Sequence, residues 1–245
     1  MRYGIFSDVH SNLEALEAVI EAYKQEDIDK YLCAGDVVGY AANPKECIDK
    51  VKMLAMITVA GNHDWASVDL FSTDYFNPAA SKAISWTKSN LGNQDRYFLE
   101  LLKLIYQNED LILVHGTLDN PQDFDYMLDG YTASKTFALI KKRLCFVGHS
   151  HIAGIFIQDV KGQIYYQEDN SIDIIDIKDG FKYIVNVGSV GQPRDGNPKA
   201  TYCIHDTDKR QIQIKRISYD IEKARKKIID AGLPRFLGER LLVGK

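Results

Sequence analysis

Five short stretches of this 245-residue chain are dense in groups that bind metals or move protons. They are Asp8-Val9-His10, Gly35-Asp36, Gly61-Asn62-His63-Asp64, His115-Gly116 and Gly148-His149-Ser150-His151. Carboxylate oxygen, imidazole nitrogen and amide oxygen together suit divalent ions such as Mn, Fe, Ni or Zn. Seven such donors (Asp8, His10, Asp36, Asn62, His115, His149 and His151) exceed the needs of one ordinary site. They suit two ions with one shared carboxylate. Paired ions ~3.5–4 Å apart clamp both oxygens of an in-line phosphoryl displacement. Two divalent cations, two aspartates and a bridging hydroxide leave one net positive charge, which balances a phosphodiester monoanion. Dianionic monoesters also bind such centres, so the charge count leaves both open.

Taken singly, most of these features have ordinary readings. Asp-x-His alone is a loop or capping feature, Gly-Asp alone a turn, and His115 alone a core or edge histidine. Gly-His-x-His is more specific, because i and i+2 side chains on extended chain face one side. Gly-Asn-His-Asp is more specific still, and the ordered set carries the argument. His205 has no such context and reads as a histidine at a strand end.

The elements that must position these residues are legible as apolar runs. Tyr3 to Ser7, Tyr31 to Ala34, Met56 to Ala60, Leu111 to Val114 and Leu144 to Val147 each have the length of a buried strand. One of the five stretches stands at or just beyond the end of each run. Ligands bind beyond the carboxyl ends of strands in α/β sheets, so five strands pointing one way bring the donors to one rim. Between the runs, Leu13, Leu16, Val19, Ile20 and Tyr23 have helical spacing, as do Tyr97, Phe98, Leu101, Leu102 and Ile105. Asn43-Pro44-Lys45-Glu46 has the form of an N-cap, a proline at N1 and a capping-box glutamate. Asn77-Pro78 opens another helix, and Thr132 is placed to cap one running through Lys142. Such alternation predicts βαβ units.

After residue 150 the pattern changes to strands, over Ile152 to Val160, Gln163 to Gln167, Ile172 to Ile177, Tyr183 to Val187, Thr201 to His205 and Gln211 to Ile217. With Lys161-Gly162 and Asp179-Gly180 as turns, this half predicts an antiparallel meander. A helical segment at about 219–245 carries Lys223, Arg225, Lys226 and Lys227, read as a solvated face. With no linker or repeat, residues 1–245 are expected to form a single domain.

Lys and Arg number 30 against 34 Asp and Glu, a net charge of −4 that excludes a general nucleic-acid binder. No apolar run approaches the ~20 residues of a membrane span, so no membrane partner is expected. Cys33, Cys47, Cys145 and Cys203 are widely spaced with no Cys-x-x-Cys pair, which fits buried thiols and a cytoplasmic location.

The ordered series Asp8-x-His10, Gly35-Asp36, Gly61-Asn62-His63-Asp64, His115 and Gly148-His149-x-His151 resembles the calcineurin-like metallophosphoesterase superfamily. Within it, the stretches 35–40, 76–80 and 187–196 look like the small prokaryotic phosphodiesterase-type branch. The resemblance implies an α/β fold, a four-layer α/β/β/α sandwich with two packed mixed β-sheets. It implies that Asp8, His10, Asp36 and His151 hold one metal and that Asp36, Asn62, His115 and His149 hold the other, with Mn favoured on ligand hardness. A metal-bridging hydroxide would attack phosphorus in line. His63 would then protonate the leaving group or stabilise the transition state, as an imidazolium at near-neutral pH. Asp64 would either orient His63 or cap the helix that follows.

One departure matters. The serine/threonine phosphoprotein phosphatase branch carries Gly-Asp-x-x-Asp-Arg-Gly where this chain has Gly35-Asp36-Val37-Val38-Gly39-Tyr40-Ala41. The phosphate-binding Arg is missing, which points to another small phosphoester as substrate. Arg194, on a loop shaped by Gly191, Pro193 and Gly196, is the candidate for an extra phosphate contact. Tyr40, Trp65, Phe76 and Phe124 are candidates to wall the pocket. The expected activity is phosphodiester hydrolysis. The alternatives are a nucleotidase or dinucleoside-polyphosphate hydrolase and a non-catalytic scaffold of the same fold, such as the retromer subunit.

Overall fold

Side chains alternate between the two faces of a strand, and where both faces are covered, as over 3–6, 112–114 and 144–147, the strand reads as an unbroken apolar run. The computed structural model describes residues 1–55, 57–168 and 174–245. Strands β1 (Arg2–Phe6), β2 (Lys30–Cys33) and β3 (Ile57–Thr58) pair in parallel. They are followed by β4 (Ile105–Gln107), β5 (Ile112–Val114), β6 (Leu144–Val147), β7 (Gly154–Gln158) and β8 (Ile164–Glu168). The last four are β9 (Ile175–Asp176), β10 (Lys182–Asn186), β11 (Ala200–Asp206) and β12 (Gln211–Ile217). One sheet has the order β3-β2-β1-β11-β12-β9 and the other β4-β5-β6-β10-β7-β8. The expected strands at 56–60 and 172–177 each begin on residues outside those described.

The two sheets face each other across an apolar layer that includes Tyr3, Ile5, Leu32, Leu113, Phe146, Val185 and Cys203. Helices α1 (Leu13–Tyr23) and α2 (Pro44–Leu54) cover the outer face of the first sheet through Leu16, Val19, Ile48 and Val51. The helices α3 (Asn62–Ala66), α4 (Pro78–Asn90), α5 (Asn93–Glu100) and α6 (Gly130–Leu139) follow, and α6 covers the second sheet with Ala133 and Phe137. The result is the expected mixed-sheet α/β/β/α sandwich. Near the C-terminus, α7 (Ile221–Asp230), α8 (Arg235–Glu239) and the turn that follows pack Ile228, Leu237 and Leu241 against Tyr40, Ala80 and Ala83. Among the described residues no helix is long and apolar enough to cross a membrane, and the four cysteines are buried without a disulfide.

The structure corrects several expectations. The five donor-bearing strand ends belong to two sheets: β1, β2 and β3 lie in one, β5 and β6 in the other. The strands after residue 150 form no single meander, since β7, β8 and β10 join one sheet and β9, β11 and β12 the other. A period of two fixes which face a residue occupies, but both inner faces meet the same apolar layer, so it does not fix sheet membership. The helix expected through Ile105 stops at Glu100, and Ile105 opens β4, paired with Val114. Helix α6 is capped by Asp129, whose carboxylate accepts from the Thr132 N–H at 2.8 Å, and it ends at Leu139. Asn43 gives α2 no side-chain cap, because its amide oxygen accepts from Lys227 Nζ at 3.0 Å. Lys227 also reaches the buried Glu14 carboxylate at 2.6 Å, as Lys223 does at 3.3 Å, so the basic helix is not wholly a solvated face.

Candidate metal centre

The donors stand on tight turns that leave the strand ends. Asp8, His10, Asp36, His149 and His151 all have φ between 48° and 67°, in the left-handed region that non-glycine residues seldom occupy. Such residues cost of order 1–3 kcal/mol each and collect at functional sites. Neighbouring glycines give the turns room: a Cβ at Gly61 would strike Asp36 Oδ1, and one at Gly148 would strike Ser7 and Asp8.

Backbone groups fix how each donor points. Asp36 Oδ1 accepts from the His63 N–H at 2.8 Å, and Asp8 Oδ2 from the His149 N–H at 3.0 Å. The second oxygen of each is thereby turned to the imidazoles. His10 Nδ1 donates to the Val38 carbonyl (3.1 Å), His115 Nδ1 to Ala34 (2.7 Å) and His151 Nδ1 to Gln192 (2.6 Å). Carbonyl partners of this kind set the tautomer and leave Nε2 facing inward as a lone pair. The loop between β10 and β11 closes over this arrangement, with the Gly191 N–H and Ser189 Oγ donating to the Asp8 carbonyl.

Two groups of donors result. Asp8, His10, Asp36 and His151 form one, Asp36, His115 and His149 the other, each within 4.8 Å, and Asp36 belongs to both. Asp36 Oδ2 lies 3.5 Å from His10 Nε2 and 3.2 Å from His115 Nε2. Asp8 Oδ1 lies 3.1 Å from His151 Nε2. His10 and His151 bring their Nε2 atoms to 3.0 Å, and His149 Nδ1 is 3.1 Å from His115 Nε2. Imidazole lone pairs facing each other so closely repel unless a proton or cation lies between them. Asn62 Oδ1, His149 Nε2 and Asp8 Oδ1 are buried with no hydrogen-bond partner. Orphaned acceptors beside a carboxylate–imidazole set fit divalent cations.

Titration behaviour follows the same geometry. Burial alone would raise both carboxyls, but His151 and His10 beside Asp8, and His115 and His63 beside Asp36, hold them well below the carboxylate range. Burial pushes His149 and His151 down to about 3. Burial also opposes charge on His115, yet Asp36 outweighs it and raises His115 to about 9. Without metal, His115 therefore carries a second proton below about pH 9, and a cation must displace it. Apparent metal affinity is expected to climb about tenfold per unit between pH 7 and 9 and then level off. Metal titrations across that range test this, and a flat affinity would contradict it.

His63 lies outside both donor groups. Its ring packs between Tyr40 (centroids 4.4 Å apart), His10 (4.7 Å) and Phe76 (4.9 Å), with Nδ1 unpartnered. Burial pushes its pKa well below the ordinary value, so the ring is neutral near pH 7 rather than the expected imidazolium. Asp64 does not orient it. The Asp64 carboxylate accepts from the N–H groups of Val37 (2.8 Å), Val38 (3.1 Å) and Gly61 (3.0 Å), which ties the Asp36 loop to the start of α3. Burial and neighbouring Asp36 push this carboxyl up to about 7.

Beside His63 and His149 opens a pocket of about 170 Å³, lined by Tyr40, Phe71, Phe76, Phe124 and Tyr126 among others. Trp65 stands behind this lining, edge-on to Phe124. Tyr126, half exposed, stacks on His149 at 4.0 Å. Phe71 and Tyr126 escaped the sequence reading because no periodicity or motif marks them. Arg194 Nη2 donates to the Tyr40 hydroxyl at 3.2 Å, so these two candidates do lie together at the edge of the centre. His205 is buried in β11, its ring stacked on Tyr3.

Residues 1–210 match the model of a family described as the calcineurin-like phosphoesterase superfamily domain. An uncharacterized protein of Methanocaldococcus jannaschii is 41% identical over 246 residues, covering 99% of this chain and 98% of that one. A crystal structure described as a metallophosphoesterase from Sphaerobacter thermophilus shares 37% identity, with a TM-score of 0.89, covering 100% of this chain and 99% of the other. A hypothetical protein from Pyrococcus horikoshii has the same fold at 18% identity, with a TM-score of 0.79, covering 100% and 98% of the two chains.

Proposed function

Because the chain belongs to the calcineurin-like phosphoesterase superfamily, we propose that it is a dinuclear metal-dependent phosphoesterase acting on phosphodiesters. The observation that carries this reading is the pair of donor groups joined through Asp36. Asp8, His10, Asp36 and His151 hold one ion; Asp36, Asn62, His115 and His149 hold the other. When bound, the ions supply positive charge to the phosphoryl oxygens and lower the pKa of water. Mn suits the oxygen-and-nitrogen set. Asp8 and Asp36, both held ionised, bring the net charge of the loaded centre down toward what a diester monoanion balances. The neutral His63 ring, poised between the centre and the aromatic pocket, offers a hydrogen bond to a leaving-group or phosphoryl oxygen. Tyr40 and Arg194 bind a further oxygen of the substrate. The buried thiols suit a reducing compartment such as the cytoplasm.

The aromatic pocket favours a second reading, a nucleotidase or dinucleoside-polyphosphate hydrolase, since Phe76, Phe124 and Tyr126 form walls on which a base can stack. The scaffold reading is weaker, because binding alone needs neither His63 nor the complete donor set. With Mn, bis-para-nitrophenyl phosphate is expected to be hydrolysed with a kcat/KM about tenfold or more above that of the para-nitrophenyl monoester. A preference for the monoester would overturn the diester assignment, and no hydrolysis of either would overturn the phosphoesterase reading.

A further inference from the structure

Arg194 is not alone at the edge of the centre. The turn after α8 brings Arg240 beside it, and the two guanidinium groups converge on one neutral oxygen. Gln192 Oε1 accepts from Arg194 Nη2 at 2.9 Å and from Arg240 Nη1 at 3.0 Å. Gln192 is only 2% exposed, and its main-chain carbonyl accepts from His151 Nδ1, so the residue that receives both arginines also holds one of the candidate metal donors. Leu237 and Leu241, four residues apart, anchor the segment against the layer containing Tyr40. The Gly196 N–H donates to the Gly244 carbonyl at 2.9 Å, fastening the same turn to the Arg194 loop.

The two guanidinium groups have no acidic side chain between them. Among the described residues neither arginine pairs with an aspartate or glutamate: the adjacent Asp195 is engaged by Arg216 at 2.5 Å, and Glu239 by Arg235 at 3.6 Å. Arg194 Nε is buried without a partner. Arg240 Nε donates to the main-chain oxygen of Lys245, and its guanidinium lies 5.2 Å from the Phe236 ring centroid. Two neighbouring cations that share one amide oxygen and have no side-chain carboxylate between them repel one another. A dianionic group with several oxygens removes that repulsion and matches the forked donors.

Resting on the phosphoesterase reading, we infer that Arg194, Arg240, Gln192 and Tyr40 form a second anion subsite. It takes a non-scissile phosphoryl group adjoining the one at the metal centre. The substrate class is then a phosphate ester carrying a second phosphate, as in diphosphate-linked nucleotides, with the C-terminal segment as a specificity element.

The test is calorimetric binding of two inert probes to the Mn-loaded protein, inorganic phosphate and methylenediphosphonate. Arg240→Gln is expected to weaken methylenediphosphonate about tenfold or more and phosphate by less than about threefold. Arg235→Gln, on the same segment but outside the subsite, is expected to change neither. If the Gln variant fails to fold, Arg240→Lys is read instead, with an expected loss of about threefold confined to the diphosphonate. Equal weakening of both probes, or of neither, would overturn the subsite. Binding is read without turnover, so a protein that discriminates the probes but hydrolyses no phosphoester would sink the enzymatic reading alone.

Discussion

Asp36→Asn is expected to strip both cations together and to lower turnover by roughly a thousandfold or more. Asp36 is the one residue common to both donor groups, with Oδ2 turned to His10 on one side and His115 on the other. Its Oδ1 is committed to the His63 N–H. An asparagine that keeps this bond presents its NH₂ to the imidazole lone pairs, which is a donor where the site needs an acceptor. An asparagine that flips loses the backbone bond instead. Either way the site loses half of its carboxylate charge. Metal analysis after dialysis checks the claim, with circular dichroism to confirm folding. A variant that loses one equivalent and retains the other would refute the shared role.

His63→Ala should separate chemistry from metal binding. The imidazole lies outside both donor groups, and only the backbone N–H of residue 63 supports Asp36, a contact that alanine keeps. Two equivalents of metal are therefore expected to remain while kcat falls by roughly 10²–10⁴-fold, the range for losing one positioned proton-handling group. The ring fills space between Tyr40, His10 and Phe76, so some stability is lost as well. His63→Gln, which fills more of that space, separates the two effects. Full turnover in either variant would remove His63 from the reaction.

The seven candidate donors stand out in the sequence because each sits where an apolar run stops, and burial on both strand faces makes such runs conspicuous. Other features left no trace that spacing could report. The left-handed turns under Asp8, Asp36 and His149 are carried by ordinary residues, held there by hydrogen bonds from distant chain. Asp64 looked like a partner for its neighbour His63, but the helix turn directs its carboxylate to the N–H groups of Val37 and Val38. The charge of His63 depends on burial, which a motif does not reveal. Arg240 belongs to a basic segment whose composition suggested solvent, and only the packing of Leu237 and Leu241 shows which face turns inward.

The donors arrive from both halves of the sandwich: Asp8, His10, Asp36 and Asn62 follow strands of one sheet, His115, His149 and His151 strands of the other. The loop between β10 and β11 ties the two halves together beside the site, and the apolar filling around Leu113, Phe146 and Val185 acts as their spacer. A bound ion pair would work as a clasp between the slabs, and any slippage of one slab over the other would pull its jaws apart. Trimming a methyl group in that filling, far from any phosphate, would thus register first as a loosened grip on metal and only later as melting.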